Sequence, residues 1–141
     1  GYWKNLKETS SVITSDGWFK TGDIGIMNEE GFPKIIDRKK DMIIISGFNV
    51  YPNEIEEVVM MNENILEAGC VGFKDDNDNE NIKLYVSKTA NKNITTEEVI
   101  EHCKKYLTSY KIPKFIEFID EIPKSNVGKI LRRKLRDRKN V

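Results

Sequence analysis

The longest uninterrupted apolar run in this chain is four residues, as at Met42–Ile45. A hydrocarbon layer demands about 20 predominantly apolar residues in a row, so no segment can span a membrane as a helix. The chain must instead assemble its core from short elements that each bury one face. Enough apolar material is present for that: 38% of the 141 residues are hydrophobic and 9% are aromatic. With 33% charged residues, this is a globular composition rather than a disordered one. The length corresponds to one domain, or one domain plus a fragment.

Charge is balanced in total and segregated in place. Lysine plus arginine and aspartate plus glutamate each number 23, for a formal net charge of zero. That balance argues against a dedicated nucleic-acid binder, which carries a basic excess. Residues 54–80 nevertheless hold Glu54, Glu56, Glu57, Glu63, Glu67, Asp75, Asp76, Asp78 and Glu80 against Lys74. Residues 124–140 reverse the pattern, with bases from Lys124 to Lys139 against Asp137.

Cys70 and Cys103 lie far apart with no metal-ligand spacing, and His102 has no histidine partner. No metal site is expected. The two cysteines read as buried, reduced thiols of a cytoplasmic protein. The opening Gly1-Tyr2-Trp3-Lys4 has neither an initiator methionine nor a secretory signal, so the chain reads as an excised piece of a longer one. Any membrane contact would be peripheral, at the inner face.

The first stretch reads as β structure. Ile24–Met27 and Pro33–Ile36 flank Asn28-Glu29-Glu30-Gly31, the signature of a hairpin. Such a hairpin is too small to fold alone and must pack on something else. Beyond the charged segment Asp37-Arg38-Lys39-Lys40-Asp41 the pattern predicts a strand over 42–45 and a break at 46–49. A helix follows, starting at Pro52 with Ile55, Val58 and Val59 inward. Strands are predicted over 71–73 and 82–86, joined by the acidic 75–80 loop. Thr95 and Glu98 form a capping box that opens a helix with Val99, Cys103, Tyr106 and Leu107 inward. A strand over 115–119 and a short basic helix over 129–138 complete the order. This is an α+β class: a small domain with a short mixed β-sheet flanked by helices, preceded by a hairpin that belongs elsewhere.

Three clusters carry chemistry. In Asp16-Gly17-Trp18-Phe19-Lys20-Thr21-Gly22-Asp23, a carboxylate either caps a turn or accepts hydrogen bonds from both hydroxyls of a ribose. In Asp37–Pro52, the charged knot is either a solvated loop or a hinge that presents Arg38 to a phosphate or sugar. Gly47, after the apolar strand, permits close backbone approach by a ligand or merely forms a turn. In Pro123-Lys124-Ser125-Asn126-Val127-Gly128-Lys129 the wording departs from a phosphate loop. Pro123 stands where that loop needs glycine, and Ile130 where it needs serine or threonine. Lys129 is then either a surface lysine or a point charge reaching into a site.

In this order and spacing, over residues 15–137, the clusters resemble the late core motifs of the adenylate-forming (AMP-binding) enzymes. Ser46–Glu56 and Lys124–Arg133 most resemble bacterial long-chain fatty acid–CoA ligases. The resemblance implies an ATP-dependent acyl-CoA synthetase that makes acyl-AMP and then acyl-CoA, with ATP and Mg2+ as one substrate complex and CoA as the other substrate. It implies that residues 1–37 are the last strands of a large N-terminal adenylation domain and that 38–41 are the hinge. Residues 42–141 would be the mobile C-terminal domain. Asp23 resembles the residue that holds the ribose hydroxyls, with Arg38 its neighbour on the nucleotide side. Lys40 stands at the hinge, where many relatives carry aspartate. Gly47 and Phe48 match the stretch that lines the pantetheine tunnel for CoA. Lys129 is similar to the lysine that enters the site for adenylation only, where an ammonium offsets repulsion between a carboxylate and an α-phosphate. It also resembles a target of protein lysine acetyltransferases, and acetylation would remove that charge.

The implied partners are the chain's own N-terminal domain, a fatty acid, ATP and CoA. The phosphate-binding loop and acyl pocket belong upstream, so the fragment alone is expected to be inactive. Two alternatives differ in class: a ligase that loads fatty acid onto a carrier protein, and a non-enzymatic module whose basic tail binds anions.

Overall fold

The computed structural model describes residues 1–138; Lys139 of the basic tail and the two residues after it lie outside them. The chain falls into two compact units that meet between Lys40 and Asp41.

The first unit opens with helix α1 (Leu6–Val12), capped by Asn5, whose Oδ1 accepts the Glu8 amide hydrogen at 3.0 Å. This helix stands where the sequence pattern predicts only β structure, and it buries no residue. With no apolar stripe, it leaves no periodicity to detect. Strands β1 (Asp23–Met27) and β2 (Pro33–Arg38) then pair antiparallel as predicted. Asn28 closes the turn, its carbonyl accepting from the Gly31 amide and its Oδ1 from the Phe32 amide. Asp37 is the one buried residue of this unit.

The second unit begins with β3 (Ile43–Ile45) and β4 (Phe48–Val50), a second hairpin in place of the simple break expected at 46–49. Ser46 and Gly47 form its two-residue turn, both at positive φ (49° and 85°). That combination suits the twist of a tight hairpin. Helix α2 (Pro52–Met60) has proline at its start. Strands β5 (Ile65–Lys74), β6 (Glu80–Lys88) and β7 (Phe115–Phe118) form one mixed sheet in the order β5-β6-β7, with β5–β6 antiparallel and β6–β7 parallel. Helix α3 (Thr96–Lys104) carries the expected capping box. The last helix, α4 (Arg132–Arg136), is five residues long rather than spanning 129–138, because Lys124 and Ile130 pair across a turn first.

Burial follows the period of two along β6. Ile82, Leu84 and Val86 point into the larger core with Ile55, Val59, Val99 and Cys103. Tyr85 points the other way, with Val71, Ile122 and Leu135. Residues 82–87 are therefore buried without a break, the mark of a strand covered on both faces. Each fully buried Val, Leu or Ile contributes about 1.5–3 kcal/mol. Helix α4 packs so closely on β5 that a Cβ at Gly69 would lie 2.7 Å from Leu135 Cδ1. The Tyr85 hydroxyl donates to the Leu135 carbonyl at 3.0 Å, tying α4 to the sheet. Tyr106, expected to face inward, lies beyond the end of α3 and is 55% exposed.

Candidate functional site

Asp23 opens β1 and Arg38 closes β2, and the two are direct cross-strand partners. Arg38 Nη1 lies 2.8 Å from Asp23 Oδ1, with the Asp23 side chain 25% exposed and the Arg38 side chain 52% exposed. An ion pair this open to water contributes at most about 1 kcal/mol, so its effect is orientation rather than stability. The Thr21 hydroxyl accepts the Asp23 amide hydrogen at 3.1 Å, and the Gly22 carbonyl accepts that of Lys39 at 2.8 Å. The pair thus presents acceptor lone pairs and guanidinium N–H donors side by side, a set that fits a hydroxylated, phosphorylated ligand. Lys40 is exposed in the one-turn helix Lys39–Asp41, whose last residue is buried.

Gly47 is the second residue of the β3–β4 turn, and nothing lies within 4 Å of a Cβ built there. Its positive φ alone accounts for glycine at this position in the chain as described. Phe48 follows it and stacks on Tyr110, with ring centroids 4.7 Å apart at 21°. Beside them Lys111 Nζ pairs with Glu54 Oε1 at 2.5 Å.

Lys129 sits on a three-residue hairpin loop. The Ser125 carbonyl accepts from the Gly128 amide at 2.9 Å, and the Lys129 carbonyl accepts from the Ser125 amide at 2.8 Å. Ser125 Oγ accepts the Lys129 amide hydrogen at 3.2 Å. Gly128, at φ 78°, supplies the left-handed residue this turn requires. The Lys129 side chain is exposed and forms no ion pair with the described residues. Its neighbours differ. Lys124 pairs with Glu67, Arg132 with Glu56, Arg133 with Asp137, Arg136 with Asp41 and Arg138 with Glu117. Most of the basic tail is therefore engaged with this chain's own acids, which weakens the view of it as a free anion-binding patch.

Asp23 and Arg38 are brought together, as are Gly47 and Phe48, while Lys129 stands on a loop of its own. Reasoning from the sequence missed the pairing of Glu56 with Arg132. Glu56 counts in the sequence only among the acids of residues 54–80, yet it is buried. The signal was available: Pro52, Ile55, Glu56 and Val59 are all buried, and their spacing is the i, i+3, i+4, i+7 stripe of an inward face.

Both cysteines are free and buried, and burial pushes the Cys103 thiol up to about 11. Among the described residues no group of three or more His, Cys, Asp or Glu is placed to hold a metal ion. No described helix is long and apolar enough to cross a membrane.

A small α+β unit with a short mixed sheet and few helices is the architecture of the C-terminal domain of adenylate-forming enzymes. The chain belongs to that family: residues 54–129 match the AMP-binding enzyme C-terminal domain. It is 55% identical over 137 residues to a long-chain-fatty-acid–CoA ligase of Yersinia pestis, an alignment covering 97% of this chain and 24% of that protein. The protein of the same name from Bacillus subtilis is 46% identical over 135 residues, covering 96% of this chain and again 24% of the relative. The chain thus spans about a quarter of the length of these relatives. Among solved structures, ATP-bound MatB from Rhodopseudomonas palustris matches with a TM-score of 0.90 at 32% identity, covering 97% of this chain and 27% of that one. MenE, the O-succinylbenzoate coenzyme A synthetase of Bacillus subtilis, in complex with AMP, matches at 0.86 and 33% identity, covering 98% and 28%.

Proposed function

We propose that this chain is the C-terminal part of a cytoplasmic long-chain fatty acid–CoA ligase. The parent enzyme joins a fatty acid carboxylate to the α-phosphate of ATP, supplied with Mg2+, and releases pyrophosphate. The CoA thiol then attacks the acyl carbon, and AMP leaves with the bonding electron pair. Residues 1–37 close the large N-terminal domain, 38–41 are the hinge with Lys40 as its pivot, and residues from 42 onward move. Asp23 accepts hydrogen bonds from the ribose hydroxyls, and Arg38, held 2.8 Å away, donates to the same nucleotide. Gly47 and Phe48 border the path of the pantetheine arm.

The observation that carries this reading is the isolation of one charge. On a basic segment where Lys124, Arg132, Arg133, Arg136 and Arg138 each pair with an acid, Lys129 is held out on a hydrogen-bonded loop with no ion pair among the described residues. Lys134, on α4, likewise pairs with no acid among the described residues but stands on no such loop. An ammonium left without a partner, on a backbone held by hydrogen bonds, is what approach of a carboxylate to a phosphate requires. The same exposure makes Lys129 reachable by a protein lysine acetyltransferase, and acetylation would silence the first step.

The test is product analysis with the full-length parent, palmitate, ATP, Mg2+ and CoA. Palmitoyl-CoA with AMP and pyrophosphate in equal amounts is expected, and none from the 141-residue chain alone. AMP release that depends on a carrier protein instead of CoA would change the acceptor. No fatty acid–dependent AMP release would overturn the reading.

A further inference from the structure

Helix α4 opens, three residues beyond Lys129, with a densely hydrogen-bonded side chain, that of Arg132. Arg132 Nη2 donates to both oxygens of Glu56, at 2.9 and 2.8 Å, and to Asn53 Oδ1 at 2.6 Å. Its Nε reaches the Cys70 carbonyl at 3.3 Å, and Glu56 Oε1 accepts the Cys70 amide hydrogen at 2.7 Å. The two side chains are 12% and 9% exposed. One guanidinium thus bolts the start of α4 to helix α2 and to the middle of strand β5. Arg132 is three residues beyond Lys129, on the outgoing leg of the loop. The incoming leg is held by Lys124, which pairs with Glu67 at the start of β5. Between those anchors the loop closes on itself through Ser125.

We infer that Arg132, through its buried pair with Glu56, is a positioning residue that sets where Lys129 is presented. This rests on the proposed role of Lys129. Lysine has a long, flexible side chain, so the reach of its ammonium depends on where its Cα is fixed. A loop anchored on one leg would sweep a larger volume and spend less time in the productive geometry, and a misplacement of about 1 Å can cost roughly 10²-fold in rate. Arginine rather than lysine is needed at 132, because one planar fork serves the Glu56 carboxylate, Asn53 and a backbone carbonyl together.

The experiment uses the full-length enzyme and two separate half-reactions: palmitate-dependent pyrophosphate exchange, and conversion of supplied palmitoyl-adenylate plus CoA to thioester. Replacing Arg132→Gln together with Glu56→Gln removes the pair without leaving a buried charge. Exchange should fall roughly 10- to 100-fold, with thioester formation within about twofold of wild type. In the Lys129→Ala background the same pair of changes should have no further effect on exchange, since the two act as one unit. Arg133→Gln, a solvent-exposed neighbour, serves as the control and should change neither step. If the paired substitution does not fold, Arg132→Lys is read in its place with the same expectation. Equal loss of both half-reactions in the variant read, or losses that add to those of Lys129→Ala, would overturn the inference. Full exchange activity in Lys129→Ala itself would instead overturn the role of Lys129 on which the inference rests.

Discussion

Arg136, in the last described helix, donates from Nη2 to Oδ1 of Asp41 at 2.5 Å, across 95 residues of sequence. Asp41 is buried and is the first residue of the second unit, immediately after the exposed Lys40. The contact anchors the start of that unit to α4.

Truncating Arg136→Ala leaves the Asp41 carboxylate buried without this partner. Loss of one partner of a buried charged hydrogen bond costs about 1–3 kcal/mol. The guanidinium is partly open to water, so the loss should stay below the figure for a fully enclosed pair. Urea unfolding of the chain should show a lower midpoint, partly restored by adding Asp41→Asn. An unchanged midpoint would contradict the anchoring role.

Cys103 makes stability fall at high pH. Its thiol is pushed up to about 11 from an ordinary value of 9.0, chiefly by desolvation. The folded state therefore holds its proton where the unfolded chain has already lost it. Stability from this group is complete below about pH 9 and is lost progressively as pH rises towards 11. The loss is of order 2–3 kcal/mol. Cys103→Ser should flatten that part of the pH profile. In native protein at pH 8 the thiol should resist alkylation and become reactive only on unfolding.

Gly128 carries a purely conformational demand, with φ at 78° and open space where a Cβ would stand. Gly128→Ala should lower stability by roughly 1–2 kcal/mol, the cost of a left-handed non-glycine residue. Gly128→Asn should cost less, because asparagine tolerates that region. Equal stability of the alanine and glycine forms would mean that the turn relaxes to another type.

For Asp23→Ala in the full-length enzyme, the expected effect is confined to the nucleotide. Hydrogen bonds to a charged group contribute about 1.5–3 kcal/mol, so the KM for ATP should rise roughly ten- to hundredfold. The KM for palmitate should hold. An unchanged KM for ATP would remove Asp23 from the nucleotide site.

Legibility in the sequence tracked how strongly each segment is patterned. The β1–β2 hairpin, the capping box at Thr95–Glu98 and the strand over 82–86 were readable because turn chemistry and apolar patterning mark them locally. Helix α1 was not, since it buries nothing and so has no apolar stripe. Strand β4 is three residues long, too short for an alternation to register, and its turn sets Ser46 as well as Gly47 at positive φ. Around Lys129, local wording marked the loop, but the partners that hold it, Glu56 and Glu67, lie 76 and 57 residues away from Arg132 and Lys124. Such pairings are decided by tertiary packing and leave no short-range signal. Tyr106 was misplaced because the 3.6-residue period was carried past Lys104, where the helix ends.

In the proposed mechanism Lys129 serves adenylation and not thioester formation. This role is tested most directly by comparing wild-type and Lys129→Ala full-length enzyme in the two half-reactions. Palmitate-dependent pyrophosphate exchange should fall about 10²–10³-fold, the usual effect of removing one preorganised donor. Conversion of supplied palmitoyl-adenylate and CoA to thioester should stay within about twofold of wild type. Undiminished exchange, or a parallel fall in both steps, would contradict it.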